Sequence, residues 1–351
     1  MLKTIFLRIP FVLVLLLLST FVVANLPAGY YNNAEGRNDA ALKNALHQII
    51  RPHTQLEYYS SSTHFRTTDW HPDGYFWDMY SREKRTSWSN LNREHCMPKS
   101  WWSPQPEYTV AYSDLHNLYP SNVEANTAKS NFPLGIVGAN YEFDNGVSRV
   151  GYNTFPGYSG MVFEPANEYK GDFARAYMYM VTCYEDYSGN WRSTGTESML
   201  YRNTYPVFTP YAVSLLMKWH RDDPVSQKEI NRNNAVYTIQ GNRNPYIDFP
   251  SLAEFIWGNS KGKIWDAAAA GGTLIDVFSL SYRRDELQIR LSPAAEVPYR
   301  IYSIEGRQVL SGDLTGAVST IIRLEGKLQR GIYLFQTETE RQRHSQLFVV
   351  M

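Results

Sequence analysis

At the centre of this sequence stands the stretch Asn92-Arg93-Glu94-His95-Cys96-Met97-Pro98-Lys99-Ser100-Trp101-Trp102. It places a carboxylate directly beside an imidazole, in a segment that is too short and too interrupted for a helix. A second segment, residues 114–126, carries another imidazole, His116, together with carboxylate and amide oxygens. These two segments hold the side chains around which the rest of the chain is organised.

Side chains of these kinds suit the hydrolysis of a phosphodiester. The attacking water must lose a proton, and negative charge builds on the phosphorane oxygens and on the leaving oxygen. A histidine, with an ordinary pKa of about 6.5, can accept that proton near neutral pH. Mg²⁺ and Ca²⁺ prefer oxygen ligands, and Mg²⁺ keeps several of its waters. We therefore interpret His95 as the general base and Glu94 and Asn126 as the ligands of one cation.

Asn126 falls within a predicted short helix. Ser121 and Glu124 match a capping box, which predicts a helix from Asn122 to about Ser130. Asparagine is a poor helix former in such a position, because its amide competes for backbone partners. A residue that opposes the local preference without a visible structural gain is a candidate for function.

The first 24 residues have the composition of an export signal. Lys3 and Arg8 precede an apolar run over residues 9–23, and Val22-Val23-Ala24 resembles a cleavage site. The alternative is a transmembrane anchor, but the run is short for a span of about 20 apolar residues. We therefore expect residues 1–24 to be a cleaved signal peptide and the protein to be exported.

Composition and length predict a globular protein with two domains. The charge is balanced, with 34 basic and 34 acidic residues, and 15% of the residues are aromatic, which excludes a disordered chain. At 351 residues the chain exceeds the usual domain of about 100–200 residues. Cys96 and Cys183 could pair in an exported protein or remain free thiols, and two cysteines do not make a zinc framework.

Helical patterns dominate the predicted first domain, residues 25–258. One helix begins at Asn38 or Asp39 and ends before Pro52. Further helices are predicted to start at Asp172, at Thr209-Pro210 and at Asp223-Pro224. Loops are predicted at Ser60 to Pro72 and at Asn117 to Pro120, and one strand is predicted at Tyr75 to Tyr80. The apolar stripe over residues 177–184 is interpreted as core.

Short alternating stretches dominate the end of the chain. A linker is predicted over residues 259–273, and a small all-β sandwich over residues 274–351. The predicted strands are Leu274 to Leu280, Glu286 to Leu291, Pro298 to Ile304, Arg307 to Leu310, Ser319 to Leu324, Gly331 to Thr337 and Ser345 to Val350. This domain contains no cluster of candidate catalytic groups.

Four motifs follow one another between residues 28 and 258. They are Asn92-Arg93-Glu94-His95 with Pro98-Lys99-Ser100-Trp101, Asp114-Leu115-His116-Asn117-Leu118, Phe163-Glu164-Pro165 with Lys170-Gly171-Asp172 and Ala174-Arg175-Ala176, and Gly241-Asn242-Arg243-Asn244-Pro245. Together they resemble the bacterial endonuclease I family. The resemblance implies an α+β fold, in which a helix-rich nuclease domain contains a ββα-metal (His-Me finger) motif. It also implies degradation of DNA, and often of RNA too, with little sequence preference.

The resemblance implies roles for individual residues. It assigns His95 as the general base, with Glu94 and Asn126 as ligands of one Mg²⁺, Ca²⁺ or Mn²⁺ ion. The arginine that contacts the scissile phosphate has two candidates, Arg93 and Arg175. His116 and Asn117 are candidates for orienting the site through hydrogen bonds. Some family members are stabilised by several disulfides, and this feature cannot be transferred to a chain that has two cysteines.

The predicted terminal domain resembles the sorting domains of type IX secretion substrates. The motifs are Tyr302-Ser303-Ile304-Glu305-Gly306, Arg330-Gly331-Ile332-Tyr333-Leu334 and Leu347-Phe348-Val349-Val350. The resemblance implies the type IX secretion machinery as a partner, followed by release or attachment to the cell surface. No stable protein partner is implied.

Three functional hypotheses follow. The leading one is an exported endonuclease that depends on a divalent metal. The alternatives are a surface-attached nucleic-acid-binding protein without turnover and an exported hydrolase of other phosphodiesters. The first domain carries a slightly negative charge balance, yet basic residues concentrate around the central motif at Arg82, Lys84, Arg85, Arg93 and Lys99. This distribution predicts weak, salt-sensitive binding of nucleic acid.

Overall fold

The fold is seen in a computed structural model of the chain. It describes residues 26–27, 29–191, 199–267, 279–283, 285–290, 297–304, 306–314, 319–324, 326–338 and 343–350. The predicted signal peptide and residues 268–273 of the predicted linker lie outside the described residues. In the described part of the chain, no helix combines the length and the apolar character that crossing a membrane requires.

Helices make up much of the first part of the chain. Among the described residues they are α1 (Asp39–Ile50), α2 (Ser61–Thr68), α3 (Val123–Lys129), α4 (Lys170–Cys183), α5 (Pro210–Asp222), α6 (Gln227–Gln240), α7 (Pro245–Asp248) and α8 (Leu252–Ile256). The helices predicted at residues 38 and 209 are confirmed, whereas the helix predicted to start at Asp172 begins earlier, at Lys170, and contains Asp172 in its first turn. The helix predicted from Asp223-Pro224 begins later, at Gln227.

Side-chain caps explain where α5 and α6 begin and end. The Thr209 hydroxyl oxygen accepts a hydrogen bond from the Ala212 amide, and Pro210 stands at the first helical position. Ser226 and Glu229 form a reciprocal capping box at the start of α6. The Gly241 backbone at the other end has a φ of +90°, a conformation that favours glycine.

Helix α4 lies in the middle of the first hydrophobic core. All of its residues after Lys170 are buried, and α1 and α5 pack against it. The predicted apolar stripe of α4 is therefore core, as expected. Trp101, Trp219 and Trp265 belong to the same buried cluster. Because aromatic side chains bury roughly 150–250 Å² each, such residues contribute much of the stability of this core.

Short antiparallel strands accompany these helices. They are β1 (Trp70–His71), β2 (Tyr75–Phe76), β3 (Leu91–His95), β4 (Leu118–Asn122), β5 (Val137–Asp144), β6 (Ser148–Asn153) and β7 (Met161–Pro165). Strand β1 pairs with β2, β3 pairs with β4, and β5, β6 and β7 form a three-stranded sheet. Helices combined with small antiparallel sheets make the fold α+β, as predicted.

The end of the chain forms two sheets. Its strands are β8 (Ser279–Arg283), β9 (Glu286–Arg290), β10 (Val297–Ser303), β11 (Gln308–Leu314), β12 (Ser319–Arg323), β13 (Gly331–Glu338) and β14 (Arg343–Val350). One sheet has the order β11-β10-β13-β14 and the other β12-β9-β8. A second buried cluster contains Leu287 from the smaller sheet and Ile301 and Phe335 from the larger one.

Two predicted loops are wrong. Helix α2 occupies most of the predicted loop from Ser60 to Pro72, and strand β4 covers much of the predicted loop from Asn117 to Pro120. The strand tolerates Pro120 because it belongs to a two-stranded sheet, so its outer edge carries no ladder of hydrogen bonds that proline would interrupt. The predicted strand at residues 75–80 is shortened to β2.

The capping residue of α3 also differs from the prediction, although the helix itself is confirmed. The Asn122 side chain, through Oδ1, accepts a hydrogen bond from the Ala125 amide at 3.0 Å. Ser121 instead donates its hydroxyl to the Asn122 carbonyl. The two cysteines, Cys96 and Cys183, are free and buried.

Candidate active site

The central motif lies on strand β3. In the β3–β4 pair, Glu94 stands opposite Tyr119 and His95 stands opposite Leu118. Helix α3 follows β4 without an intervening loop, because Asn122 is both the last residue of the strand and the cap of the helix. This sequence of elements returns the chain from His95 to a helix that packs beside it.

A lysine of α3 joins the helix to the motif. The Lys129 ammonium donates to Glu94 Oε1 at 2.6 Å and to the His95 carbonyl oxygen at 3.2 Å. Both side chains are buried, and burial raises the pKa of the Glu94 carboxyl although Lys129 partly offsets it. Asn126 precedes Lys129 by three residues, so the two side chains share a helix face. Lys129 thus packs against Glu94 and His95, and Asn126 lies one turn before it on the same side of the helix.

The His95 ring is held in one tautomer. Its Nε2 lies 2.9 Å from the Tyr112 carbonyl oxygen. Since a carbonyl oxygen only accepts hydrogen bonds, Nε2 carries the hydrogen and Nδ1 has the free lone pair. Burial, together with the nearby Lys99 and Lys129 charges, lowers the pKa of His95 to about 3, although the hydrogen bond to the Tyr112 carbonyl opposes this shift. The imidazole is therefore neutral at pH 7, and Nδ1 is available to accept a proton.

Aromatic rings enclose the same imidazole. The Tyr112 and Tyr58 rings stack on it with centroid distances of 5.1 and 5.9 Å, and Trp102 meets it edge-on at 5.7 Å. The ring is consequently only 5% exposed. This packing fixes its orientation and removes most of the bulk water around it.

The oxygen donors present are suited to a hard cation. The Glu94 carboxylate offers about four acceptor positions, of which Lys129 uses one. The Asn126 side chain is half-buried and forms no hydrogen bond with another residue of the described chain. The described part of the chain contains no cluster of three or more histidine, cysteine, aspartate or glutamate side chains that could hold a metal. One carboxylate and one amide fit an ion that retains most of its waters, such as Mg²⁺.

Arg93 anchors a loop beside His95. Its guanidinium donates to the Ser61 and Ser62 hydroxyl oxygens at 3.0 Å each. It also lies 5.5 Å from the centre of the Tyr58 ring. Arg93 thereby holds the segment that places Tyr58 against the catalytic histidine candidate.

Asn117 and His116 occupy different surroundings, although they are neighbours in the chain. Asn117 accepts from the Met97 amide at 2.8 Å and donates to the Met97 carbonyl at 3.1 Å, so it clamps the turn that follows β3. His116 Nε2 lies 3.3 Å from the Asn242 carbonyl oxygen, and its ring packs on Tyr179 at 4.5 Å. Burial lowers the pKa of His116 to about 4. Asn117 thus supports the site directly, whereas His116 lies in the core.

Arg175 is fully buried in helix α4. Its Nε and Nη2 donate to the two carboxylate oxygens of Glu229 at 2.5 and 2.8 Å. Its Nη1 donates to the Asp223 carbonyl at 2.9 Å and approaches His220 Nδ1 at 3.4 Å. These contacts tie α4 to α5 and α6 and leave the guanidinium turned away from solvent.

The arrangement around His220 predicts a pH dependence of stability. His220 Nε2 donates to the Pro250 carbonyl at 2.9 Å, so Nδ1 accepts from Arg175. Burial and, to a smaller extent, the Arg175 charge lower the pKa of His220 to about 4. The unfolded chain then binds the proton first as the pH falls, and this histidine loses about 2 kcal/mol of stabilisation between pH 7.5 and 4.5.

Urea unfolding at both pH values checks this expectation. His220→Gln keeps a donor and an acceptor but does not titrate, so its free energy of unfolding should fall less than that of the wild type over the same interval. His64→Gln, at a half-exposed histidine, is the matched control. Its free energy of unfolding should change between the two pH values as much as that of the wild type. If the free energy of unfolding of His220→Gln fell with pH as much as that of the wild type, His220 would not be the source of this pH dependence.

Sequence reasoning missed three contributors to this site. Lys129 could have been found, because it lies one helical turn after Asn126 and therefore on the same face. Asn122 carried a detectable signal as a preferred N-cap residue. Tyr112 carried none, since it contributes a backbone carbonyl that every residue type possesses.

Known proteins share the part of the chain that contains this site. Residues 39–251 match the family described as Endonuclease I. The extracellular ribonuclease of Bacillus amyloliquefaciens is 36% identical over 244 residues, which cover 65% of this chain and 78% of that protein. Endonuclease-1 of Buchnera aphidicola is 28% identical over 165 residues, covering 47% and 53%. An extracellular deoxyribonuclease of Aeromonas hydrophila is 25% identical over 162 residues, covering 46% and 57%.

Proposed function

Because this chain belongs to the endonuclease I family and is therefore an endonuclease, we propose that it hydrolyses phosphodiester bonds with His95 as general base and one divalent cation. The contact between α3 and β3 carries this proposal. Lys129, bonded to Glu94 and to the His95 backbone, ties α3 to the two motif residues, and Asn126 precedes Lys129 by one helical turn. Glu94 and Asn126, 32 positions apart in the sequence, would thereby serve one site.

The protein's own groups perform the proton transfer. His95 Nδ1 takes the proton of the attacking water, while the Tyr112 carbonyl holds Nε2–H and fixes the ring. Glu94 and Asn126 are the proposed ligands of the cation, with Mg²⁺ as the first candidate and Ca²⁺ or Mn²⁺ as alternatives. The bound ion supplies charge stabilisation to the phosphorane and the leaving oxygen, and it lowers the pKa of coordinated water. Strands β3 and β4 with helix α3 correspond in this scheme to a ββα-metal motif.

Both DNA and RNA are proposed as substrates. The Bacillus relative is named a ribonuclease and the Aeromonas relative a deoxyribonuclease, and this chain resembles both over the nuclease region. The chemistry at phosphorus is the same for either polymer. The proposed mechanism contains no step that requires or excludes a 2′-hydroxyl.

Export is proposed from two independent features. The Bacillus and Aeromonas relatives are both named as extracellular proteins. The sequence of residues 1–24 has the pattern of a signal peptide.

The two terminal sheets, which share a buried cluster, support a β-sandwich that acts as a sorting domain for the type IX secretion machinery. Release and attachment to the cell surface are the two proposed fates.

A metal series tests the catalytic proposal. The protein without residues 1–24 is expected to nick supercoiled plasmid and to degrade RNA in Mg²⁺, and EDTA should stop both reactions because the cation offsets the developing charge. Gel electrophoresis of the products against time measures the rates. Cleavage that continues undiminished in EDTA would contradict the metal assignment. Binding without cleavage in Mg²⁺, Ca²⁺ and Mn²⁺ would instead favour a non-catalytic nucleic-acid-binding protein.

A further inference from the structure

A cleft outside the catalytic motif is lined by aromatic and charged side chains. It lies between the β1–β2 hairpin, the segment over residues 77–84 and the turn before α4, and its volume is about 380 Å³. Its walls include His71, Tyr75, Trp77, Arg82, Lys84 and Tyr169. Binding pockets for small ligands span roughly 300–1,000 Å³, so the cleft can hold a group the size of a nucleotide.

The rings of the cleft form a stacking surface. His71 lies over Tyr75 with a centroid distance of 4.3 Å and an interplanar angle of 11°, and Trp77 lies 4.6 Å from His71. All three side chains are half-buried, so each is held in place yet retains solvent-exposed area. His71 Nδ1 accepts a hydrogen bond from the Asp73 amide, which leaves Nε2–H as a donor. Nucleobases stack on such rings whatever their sequence.

Two cations stand at the edge of this surface. The Lys84 ammonium lies 5.0 Å from the centre of the Tyr75 ring. Within the described part of the chain, neither Arg82 nor Lys84 forms an ion pair, whereas the neighbouring Glu83 is paired with Arg85. Both cations are exposed. They are therefore free to bind a phosphate next to a stacked base.

Hydrogen bonds connect the cleft to the candidate active site. The carboxylate of Asp78, in the cleft wall, accepts from the Asn122 amide at 3.0 Å. The Asn122 side chain caps α3 by accepting from the Ala125 amide. The helix that carries Asn126 is thus anchored to the wall of the cleft. The cleft and the helix of the proposed metal ligand Asn126 are therefore linked through Asp78 and Asn122.

We propose that the cleft is a nucleotide subsite for single-stranded substrate. An unpaired base stacks on the solvent-exposed area of the His71, Tyr75 and Trp77 cluster, and an adjoining phosphate contacts Arg82 and Lys84. A base inside a duplex cannot enter, because its faces are covered by neighbouring base pairs. The inference rests on the proposed nuclease function and adds a preference for unpaired DNA or RNA.

Binding measured without metal separates this inference from the catalytic proposal. Fluorescence anisotropy in EDTA gives the Kd of a labelled oligothymidylate and of a blunt duplex, whether or not the protein cuts either of them. Tyr75→Ala is expected to weaken single-strand binding about tenfold, in line with the usual loss of a stacked base. The duplex Kd should stay unchanged. Tyr152→Ala, which removes a 60%-exposed tyrosine on β6, is the control and should bind both as the wild type does.

A variant that removes both cations tests the phosphate contact while the His71, Tyr75 and Trp77 rings all remain. Arg82→Ala/Lys84→Ala should reduce the slope of log K against log salt for the single strand by roughly 0.7, the contribution of one neutralised phosphate. Arg37→Ala/Lys263→Ala removes two exposed cations elsewhere and should leave that slope unaltered. The subsite is refuted if Tyr75→Ala, folded by circular dichroism, binds the single strand as the wild type does. Equal losses for single strand and duplex would also refute it.

Discussion

Replacing His95 by alanine is expected to lower the rate of DNA and RNA cleavage by a factor of about 10² to 10⁴, the usual contribution of a general base. The Tyr112 carbonyl holds Nε2–H, so Nδ1 is the only ring atom left to accept the proton of the attacking water. Alanine leaves that water without a base while Glu94 and Asn126 remain in place. Initial rates of plasmid nicking at saturating Mg²⁺ measure the effect.

The matched control is His64→Ala. His64 is half-exposed and lies in α2, and its replacement should change the nicking rate by less than about twofold, the size of an ordinary surface effect. Circular dichroism must show that His95→Ala is folded, because the imidazole packs among Tyr58, Tyr112 and Trp102. A folded His95→Ala protein that nicks plasmid at the wild-type rate would remove His95 from the mechanism.

Local signals predicted much of the helical framework. Thr209-Pro210 and Gly241 mark helix ends through their own conformational preferences, so the sequence contains the information directly. Strand β4 was missed because its pairing with β3 is not local, and Pro120 argued against a strand. Helix α2 was missed because its polar sequence resembles a loop. Phe65 is its fully buried apolar residue, and tertiary contacts rather than periodicity stabilise it.

The candidate site was likewise predictable only where its residues are neighbours in the sequence. Glu94 and His95 are adjacent in sequence, so their proximity needed no tertiary information. The approach of α3 did need it, since Lys129 contacts Glu94 across 35 positions of the chain. The enclosure of His95 by Tyr58 and Tyr112 was not predictable. Aromatic residues are frequent in this chain, and the sequence does not indicate which ring contacts which.

Arg175→Met is expected to destabilise the protein by about 3–5 kcal/mol, because it leaves a buried glutamate without its partner. Arg175 is 0% exposed and Glu229 3% exposed, and two hydrogen bonds of 2.5 and 2.8 Å join them. The charge of Glu229 then loses its cationic partner and keeps only the hydrogen bonds from Ser226. Urea denaturation at pH 7.5 measures the loss as a lower midpoint with an unchanged slope.

A second substitution separates this structural role from the contact with the scissile phosphate that the sequence suggested for Arg175. Arg175→Met/Glu229→Leu replaces both charges by apolar groups and should recover much of the lost stability, since buried pairs exchange for hydrophobic contacts at little net cost. The folded double variant should cleave DNA at a rate close to that of the wild type, because the guanidinium lies among Glu229, Asp223 and His220. If the double variant is stable yet inactive, Arg175 acts on the substrate. Catalysis would then require α4 to expose a charge that it buries in this structure.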